Sequence, residues 1–347
     1  MQSVIVSEFG GPEQLAVLQA ADPQPGPGLL RFRVTSIGLN RADLMGRAGQ
    51  YKLSTGDPPY TPGLEAGGVV DAVGEGVESS WVGRRVTLRP EATRLARGDA
   101  RVAGTYRSHV VCQSGDLVVI QAPAEVLPET HLGTLWLSHF TAWGGLIWKL
   151  GQGGDALGGK HVAISAASSA VALAAAQVTR RHGGVAIGLT SSPAKADALG
   201  DAYDHLVLTH DADGEQLPFR RELKRCTDAR GVDVVFDPVA AGPYLTELIL
   251  SLNQHGTVLV YGLLGRPGVV DVTPLIRKHA SIIGYVNDEV FESGTDDVDA
   301  GIAHVVEGFS SGAYAQRVDR TFALSDVQEA HREMAAGRHV GKLVLAP

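Results

Sequence analysis

Apolar residues in the first third of the chain come in short runs rich in β-branched side chains and broken by Gly and Pro. Residues 3–9, 30–39, 67–73, 84–88, 106–112 and 117–120 read as strands, and Gly74-Glu75-Gly76 closes the third of them. Many short strands with turn residues between them predict an antiparallel, barrel-like unit. Near residue 125 the rhythm changes. Residues 132–148 have helix length and are apolar on more than one side, which predicts a buried helix.

From His161 strands and helices alternate. A strand at 161–165 leads to a helix at 171–182, which carries Arg180, Arg181 and His182 in its last turn and is stopped by Gly183-Gly184. A strand at 185–189 follows. Ser192-Pro193 then reads as an N-cap with proline at the first helical position of a helix through residue 199. Strands at 205–208, 232–236 and 257–261 alternate with helices at 218–226 and 244–253. Repeated strand–helix–strand units predict a doubly wound parallel α/β domain. The last 80 or so residues return to mixed structure. The expected organisation is therefore one domain from residues 1–124 and 266–347, with 125–265 inserted as the other. The functional site is expected at the C-terminal ends of the parallel strands.

Composition narrows the function classes. The 347 residues are 44% hydrophobic and 20% charged, which is globular composition. Glycine, at 43 residues, is the outlier and predicts many tight turns. A net charge of −8 without a basic run disfavours nucleic acid and anionic membrane surfaces as partners. Two cysteines, Cys112 and Cys226, make neither a disulfide framework nor a zinc cage. No signal peptide is visible, and no uncharged stretch is long enough to span a bilayer, so a soluble cytoplasmic protein with a small-molecule substrate is expected.

The first strand–turn–helix is the place to look for a dinucleotide site. Pyrophosphate must approach backbone N–H groups at a helix N-terminus, and glycines usually allow that. Here the turn is Ser165-Ala166-Ala167-Ser168-Ser169-Ala170-Val171-Ala172, without glycine. Small side chains still permit close approach, and the hydroxyls of Ser168 and Ser169 can bond phosphate; a plain helix start is the competing reading. The second strand ends at Thr190-Ser191-Ser192, with Lys195 as the nearest charge. An NAD site carries a carboxylate there. Hydroxyls and a lysine instead suit the 2′-phosphate of NADPH, against the alternative of an ordinary N-cap and a solvated lysine.

Several blocks together resemble the medium-chain dehydrogenase/reductase family, in its zinc-independent, zeta-crystallin-like quinone oxidoreductase branch. They are Asn40-Arg41-Ala42-Asp43 with Arg47, Gly49 and Tyr51; Pro62-Gly63-Leu64-Glu65-Ala66-Gly67-Gly68-Val69-Val70 with Val73-Gly74-Glu75-Gly76-Val77; residues 166–177; residues 231–239; residues 256–262; and His331 with Gly341-Lys342-Leu343-Val344-Leu345. The resemblance runs the full length of the chain. It implies a GroES-like β-rich catalytic domain plus a Rossmann doubly wound parallel-sheet cofactor domain, and a homodimer paired at the sheet edge near residues 257–261 and 281–285. The chain departs from the family where Ala172 and Ala241, and often Ala170, replace glycines, and where the 199–206 segment is about a residue short.

The resemblance also bears on metal. Zinc-bearing relatives have Cys where Asn40 lies and His where Leu64 precedes Glu65, and residues 89–107 here contain no cysteine. No zinc is therefore expected. Without metal, the reaction expected is hydride transfer from NADPH to quinones or α,β-unsaturated carbonyls. A zinc-free alcohol or enoyl-thioester oxidoreductase and a non-catalytic NADPH-binding scaffold are the alternatives. Tyr51 is the candidate for lining the substrate pocket and donating a hydrogen bond, and Asn40 for holding substrate or the nicotinamide ribose. Cofactor contacts are expected from Asn40, Thr141, Ser168, Ser169, Ala170, Val171, Thr190, Ser191, Lys195, His210, Gly262, Leu263, Leu264 and Lys342. Cys112 is expected to be a buried strand residue, and Trp136, His139, Phe140 and Trp143 to be helix packing.

Overall fold

The computed structural model describes residues 1–51, 57–93, 102–151 and 157–347. By internal contacts the chain forms two units, Met1–Leu137 with Val305–Pro347, and Ser138–His304.

The first unit opens with β1 (Gln2–Val6) and β2 (Leu15–Gln19), an antiparallel pair. Then come β3 (Leu30–Gly38), helix α1 (Arg41–Arg47), β4 (Ala66–Val73), β5 (Arg85–Leu88), β6 (His109–Cys112) and β7 (Leu117–Val119). β3 is the organising strand. It pairs antiparallel with β4 and β6, and its pairing with β4 shifts register twice, with Asp71 the extra residue on β4 and Thr35 the extra residue on β3. Leu30, Phe32, Val34 and Ile37 turn inward from β3 and meet Val70, Val86, Leu88, Val110 and Tyr106 in one core.

The second unit begins within three abutting helical turns, Trp136–Phe140, Thr141–Trp143 and Gly144–Lys149. Helix begins at Trp136 rather than at 132, because Ser36 Oγ holds the Gly133 N–H and Thr134 bonds back to His131 O. Trp136, His139, Phe140 and Trp143 are buried as packing residues. The chain continues through β8 (His161–Ile164), α2 (Ala170–Arg181), β9 (Val185–Thr190), α3 (Pro193–Leu199) and β10 (His205–Leu208). Next are α4 (Arg220–Arg225), β11 (Val232–Asp237), α5 (Gly242–Ser251), β12 (Leu252–Val260), α6 (Pro274–Lys278), β13 (Ser281–Gly284), α7 (Asp288–Ser293) and α8 (Thr295–Ser310). Among the described residues the sheet order is β10-β9-β8-β11-β12-β13, every pair parallel. That is the doubly wound order, with its switch point between β8 and β11.

β13 corrects the expected boundary. Ser281 pairs with Thr257, so the short crossover through α6 adds a sixth parallel strand, and residues up to His304 belong to this unit. The chain then closes the first unit with β14 (Val318–Ala323), α9 (Val327–Ala336) and β15 (Lys342–Ala346), in the sheet order β14-β15-β3-β4-β5-β7. β15 lies antiparallel against the end of β3, which brings Lys342 beside Gly38.

Candidate active site

In the first unit the residues of the Asn40 and Glu65 blocks converge with the C-terminal strand. Lys342 Nζ donates to Glu65 Oε1 and to Asn40 Oδ1, both at 2.6 Å. Asn40 Nδ2 donates to Gly38 O at 3.0 Å and to Glu65 Oε1 at 3.2 Å. The other carboxylate oxygen, Oε2, accepts the N–H groups of Trp136 and Leu137 at 3.0 and 3.1 Å. Glu65 is 0% and Lys342 3% exposed, while Asn40 is half-buried. A buried ion pair of this kind is tolerable only when its remaining lone pairs are met, as they are here. Lys342 was expected to hold cofactor. Its ammonium bonds Glu65 and Asn40 within the first unit.

Asn40 also caps α1. Its N–H donates to Asp43 Oδ2 at 2.8 Å, and the Asp43 N–H returns to Asn40 O at 3.0 Å. Burial pushes the Asp43 carboxyl up to about 7, against the Asn40 N–H bond, the Lys342 charge and the Tyr106 hydroxyl, which hold it down. Tyr106 Oη bonds Asp43 and lies 3.2 Å from Nε2 of His331. Burial, with Arg47 nearby, pulls His331 down to about 3. Tyr51 is half-buried in the loop after α1. Just before it Gly49 has φ +73°, and a Cβ there would stand 3.1 Å from the Phe9 ring.

In the second unit the expected cofactor turn sits at the carboxyl end of β8. Ser165 N–H bonds Phe236 O on β11, and Ala167 N–H bonds Leu189 O on β9, so the turn is tied to both flanking strands. Tyr203 Oη donates to Ala167 O at 2.7 Å, and Tyr244 Oη donates to Ser165 Oγ at 3.0 Å. Gly188 admits the Tyr203 ring, since a Cβ there would meet it at 2.7 Å. Ala166 has φ +52°, a conformation that glycine adopts without strain. Ser169 is the N-cap of α2, its Oγ accepting the Ala172 N–H at 3.2 Å. Ser168, Ser169, Ala170 and Val171 are all half-buried, so the start of the helix is open to a ligand.

Lys195 Nζ reaches across from α3 to Ser168 Oγ at 3.1 Å, joining the end of β9 to the turn. Ser191 is exposed; Thr190 is buried, with its O accepting from Thr209. His210, after β10, bonds Thr209 Oγ1 at 2.9 Å and stacks on Tyr244. Thr141 Oγ1 accepts from Asn287 Nδ2 at 3.0 Å. Gly262, Leu263 and Leu264 follow β12, and the two leucines are exposed at 68% and 40%. Thr190, Ser168, Lys195 and His210 thus share the carboxyl ends of β8, β9 and β10. The sequence reading missed Glu65 as a partner of Lys342, and Tyr106, Tyr203 and Tyr244. Each acts through a contact tens to hundreds of residues away, which no local spacing announces.

The residues at the position expected for zinc do not suit a metal ion. Both oxygens of Glu65 are taken, one by an ammonium that already neutralises it, and Asn40 offers a carboxamide in place of a thiolate. Among the described residues no group of three or more His, Cys, Asp or Glu is arranged to hold a metal, and residues 94–101 of the cysteine-free segment lie outside them. Cys112 is buried in β6, which pushes its thiol up to about 12. No helix of the described residues is long and apolar enough to cross a membrane.

Comparison with known proteins agrees with this architecture. Residues 26–123 match the alcohol dehydrogenase GroES-like domain, and residues 203–345 match the family described as zinc-binding dehydrogenase. The synaptic vesicle membrane protein VAT-1 homolog of Rattus norvegicus is 28% identical, over 100% of this chain and 84% of that protein. A 2-haloacrylate reductase of Burkholderia sp is 26% identical, over 100% and 99%. The quinone oxidoreductase of Homo sapiens is 26% identical, over 99% and 97%. A mycobacterial protein solved with NADPH superposes with a TM-score of 0.79 at 25% identity, covering 100% of both chains. The chain belongs to the medium-chain dehydrogenase/reductase family of oxidoreductases, in its zinc-independent quinone oxidoreductase branch.

Proposed function

We propose that this chain is an NADPH-dependent reductase of quinones or α,β-unsaturated carbonyl compounds that works without metal. The observation that carries the reading is the Lys342–Glu65–Asn40 cluster, in which an ammonium and a carboxamide stand where a zinc enzyme needs open ligands. Substrates whose reduction gives a hydroquinone anion or an enolate need only modest stabilisation, which a hydrogen-bond donor such as Tyr51 supplies.

The cofactor is NADPH, and when bound it supplies the hydride. The turn 165–170 and the N–H groups opening α2 hold its pyrophosphate, and Thr190, Ser191 and Lys195 hold its 2′-phosphate. No carboxylate stands at the end of β9, and the Lys195–Ser168 bond already spans the distance between those two subsites. His210, Thr141 and residues 262–264 contribute further contacts to the cofactor. The first unit is the catalytic domain and the second the cofactor domain, and the protein works in the cytoplasm. Two copies pair through β13, an edge strand near which Ile276 and Val286 are 78% and 42% exposed.

NADPH oxidation over a panel of quinones and enones, with and without a chelator, tests the reading. Turnover that survives chelation is expected. Turnover that needs added zinc, or NADPH binding without turnover of any panel member, overturns it.

A further inference from the structure

The Asn40 side chain can be accounted for atom by atom. Its two amide hydrogens go to Gly38 O and Glu65 Oε1, and one of the two lone pairs on Oδ1 takes a hydrogen from Lys342 Nζ. An ammonium only donates and a carboxylate only accepts. A turned amide would set Nδ2 against Nζ and Oδ1 against both Glu65 Oε1 and Gly38 O, so its orientation is dictated by its neighbours. The main chain of Asn40 is held as well, by the capping bond to Asp43. Asn40 is the half-buried member of a trio whose other two members are sealed, and is therefore the one that meets a ligand.

We infer that Lys342 is a positioning residue that fixes the polarity of Asn40, so that Asn40 offers a ligand one acceptor lone pair and no donor. The group it binds is then a hydroxyl or an N–H. Granted the reductase reading, on which the ligand's identity rests, that group belongs to the cofactor, whose ribose hydroxyls and carboxamide are donors. A quinone or enone carbonyl has no hydrogen to give and is recognised elsewhere. Asn40 thus drops out as the stabiliser of a developing oxyanion. Gly38 is part of the device: a Cβ there would stand 2.6 Å from Gly133 O and 2.8 Å from Lys342 Cε, closing the space in which the ion pair meets.

Two measurements test this. The first is hydrogen exchange of the Asn40 side-chain amide by NMR in the unliganded protein. Exchange at least about tenfold slower than for an exposed asparagine is expected, because both hydrogens are bonded. Lys342→Met should accelerate it about tenfold, and Lys342→Arg, which keeps a cation, should restore much of the protection. Should Lys342→Met fail to fold with Glu65 unpaired, the double variant Lys342→Met/Glu65→Gln removes both charges and is read the same way. Fast exchange in the unaltered protein, or no change on removing Lys342, overturns the inference whether or not the protein reduces anything.

The second measurement uses Asn40→Ala with NADPH and a hydroxyl-free 1,4-naphthoquinone. The KM for NADPH should rise about tenfold, the loss of one hydrogen bond to a buried group, while the KM for the quinone stays within about twofold. The reverse split overturns the inference. Slow exchange that depends on Lys342, in a protein that oxidises no NADPH, would leave the positioning role standing and remove the reductase reading alone.

Discussion

Nε2 of His331 lies 3.2 Å from the hydroxyl of Tyr106, and on its other side that hydroxyl bonds Asp43. The other ring nitrogen, Nδ1, has no hydrogen-bond partner among the described residues. Burial favours the neutral forms of Asp43 and His331, with opposite consequences for stability. Asp43 is raised to about 7, so the native state holds a proton that the unfolded state releases above its ordinary value of 3.8, and stability falls as pH rises from there to about 7. His331 is lowered to about 3, so the unfolded state holds the extra proton up to its ordinary value of 6.5, and stability rises with pH across that window.

The two slopes oppose each other between about pH 4 and 6.5. Asp43→Asn should unmask the histidine, with stability climbing by up to about 1.4 kcal/mol per pH unit. His331→Gln should unmask the aspartate, with stability declining over the same range. Urea denaturation at several pH values reads both. Parallel profiles for the two variants would show that neither group titrates as its burial implies.

Gly38→Ala should be among the most damaging single-methyl changes in the first unit. The added Cβ collides with Gly133 O, Lys342 Cε and the Glu65 carboxylate, none of them the free end of a mobile chain. A loss of about 2–4 kcal/mol is expected from overpacking together with strain on a buried ion pair. Thermal melting checks this, and an unchanged Tm would mean that β3 and β15 separate easily.

Ala166→Gly should stabilise the second unit. The alanine sits at φ +52°, where an L residue costs about 1–2 kcal/mol, and the greater unfolded freedom of glycine returns about 0.5–1 of that. A net gain below about 1 kcal/mol in chemical denaturation is expected, with NADPH affinity kept or improved. A loss of stability would show that the turn is not strained.

Lys195→Ala should separate the two cofactors. A charge-assisted bond to phosphate contributes about 1.5–3 kcal/mol, and the half-buried position of Lys195 keeps it near the lower end. NADPH affinity should fall about tenfold with NADH nearly unchanged. Fluorescence titration with both cofactors decides, and equal losses would mean that Lys195 serves the pyrophosphate they share.

Light scattering at micromolar concentration should give twice the 36.4 kDa chain mass. A monomer would mean that the β13 edge is left open.

Periodicity and turn chemistry determined much of this protein. The alternation from His161 onward located β8 to β12 to within a few residues, because parallel strands between helices are near-continuous apolar runs. Ser192-Pro193 marked the start of α3, and Gly183 the end of α2. β2 was not visible, for want of a β-branched run, and the β13 segment was placed at a sheet edge by resemblance alone. At the candidate site the sequence supplied Asn40, Glu65 and Lys342 as members of three separate blocks. It could not say that they touch. Only the antiparallel pairing of β15 with the end of β3 carries Lys342 across about three hundred residues to Asn40, at a point where Gly38 leaves room for it. Side-chain charge is written locally, but the partner of a buried charge is chosen by strand register. That choice set the Lys342 ammonium against Glu65 and Asn40.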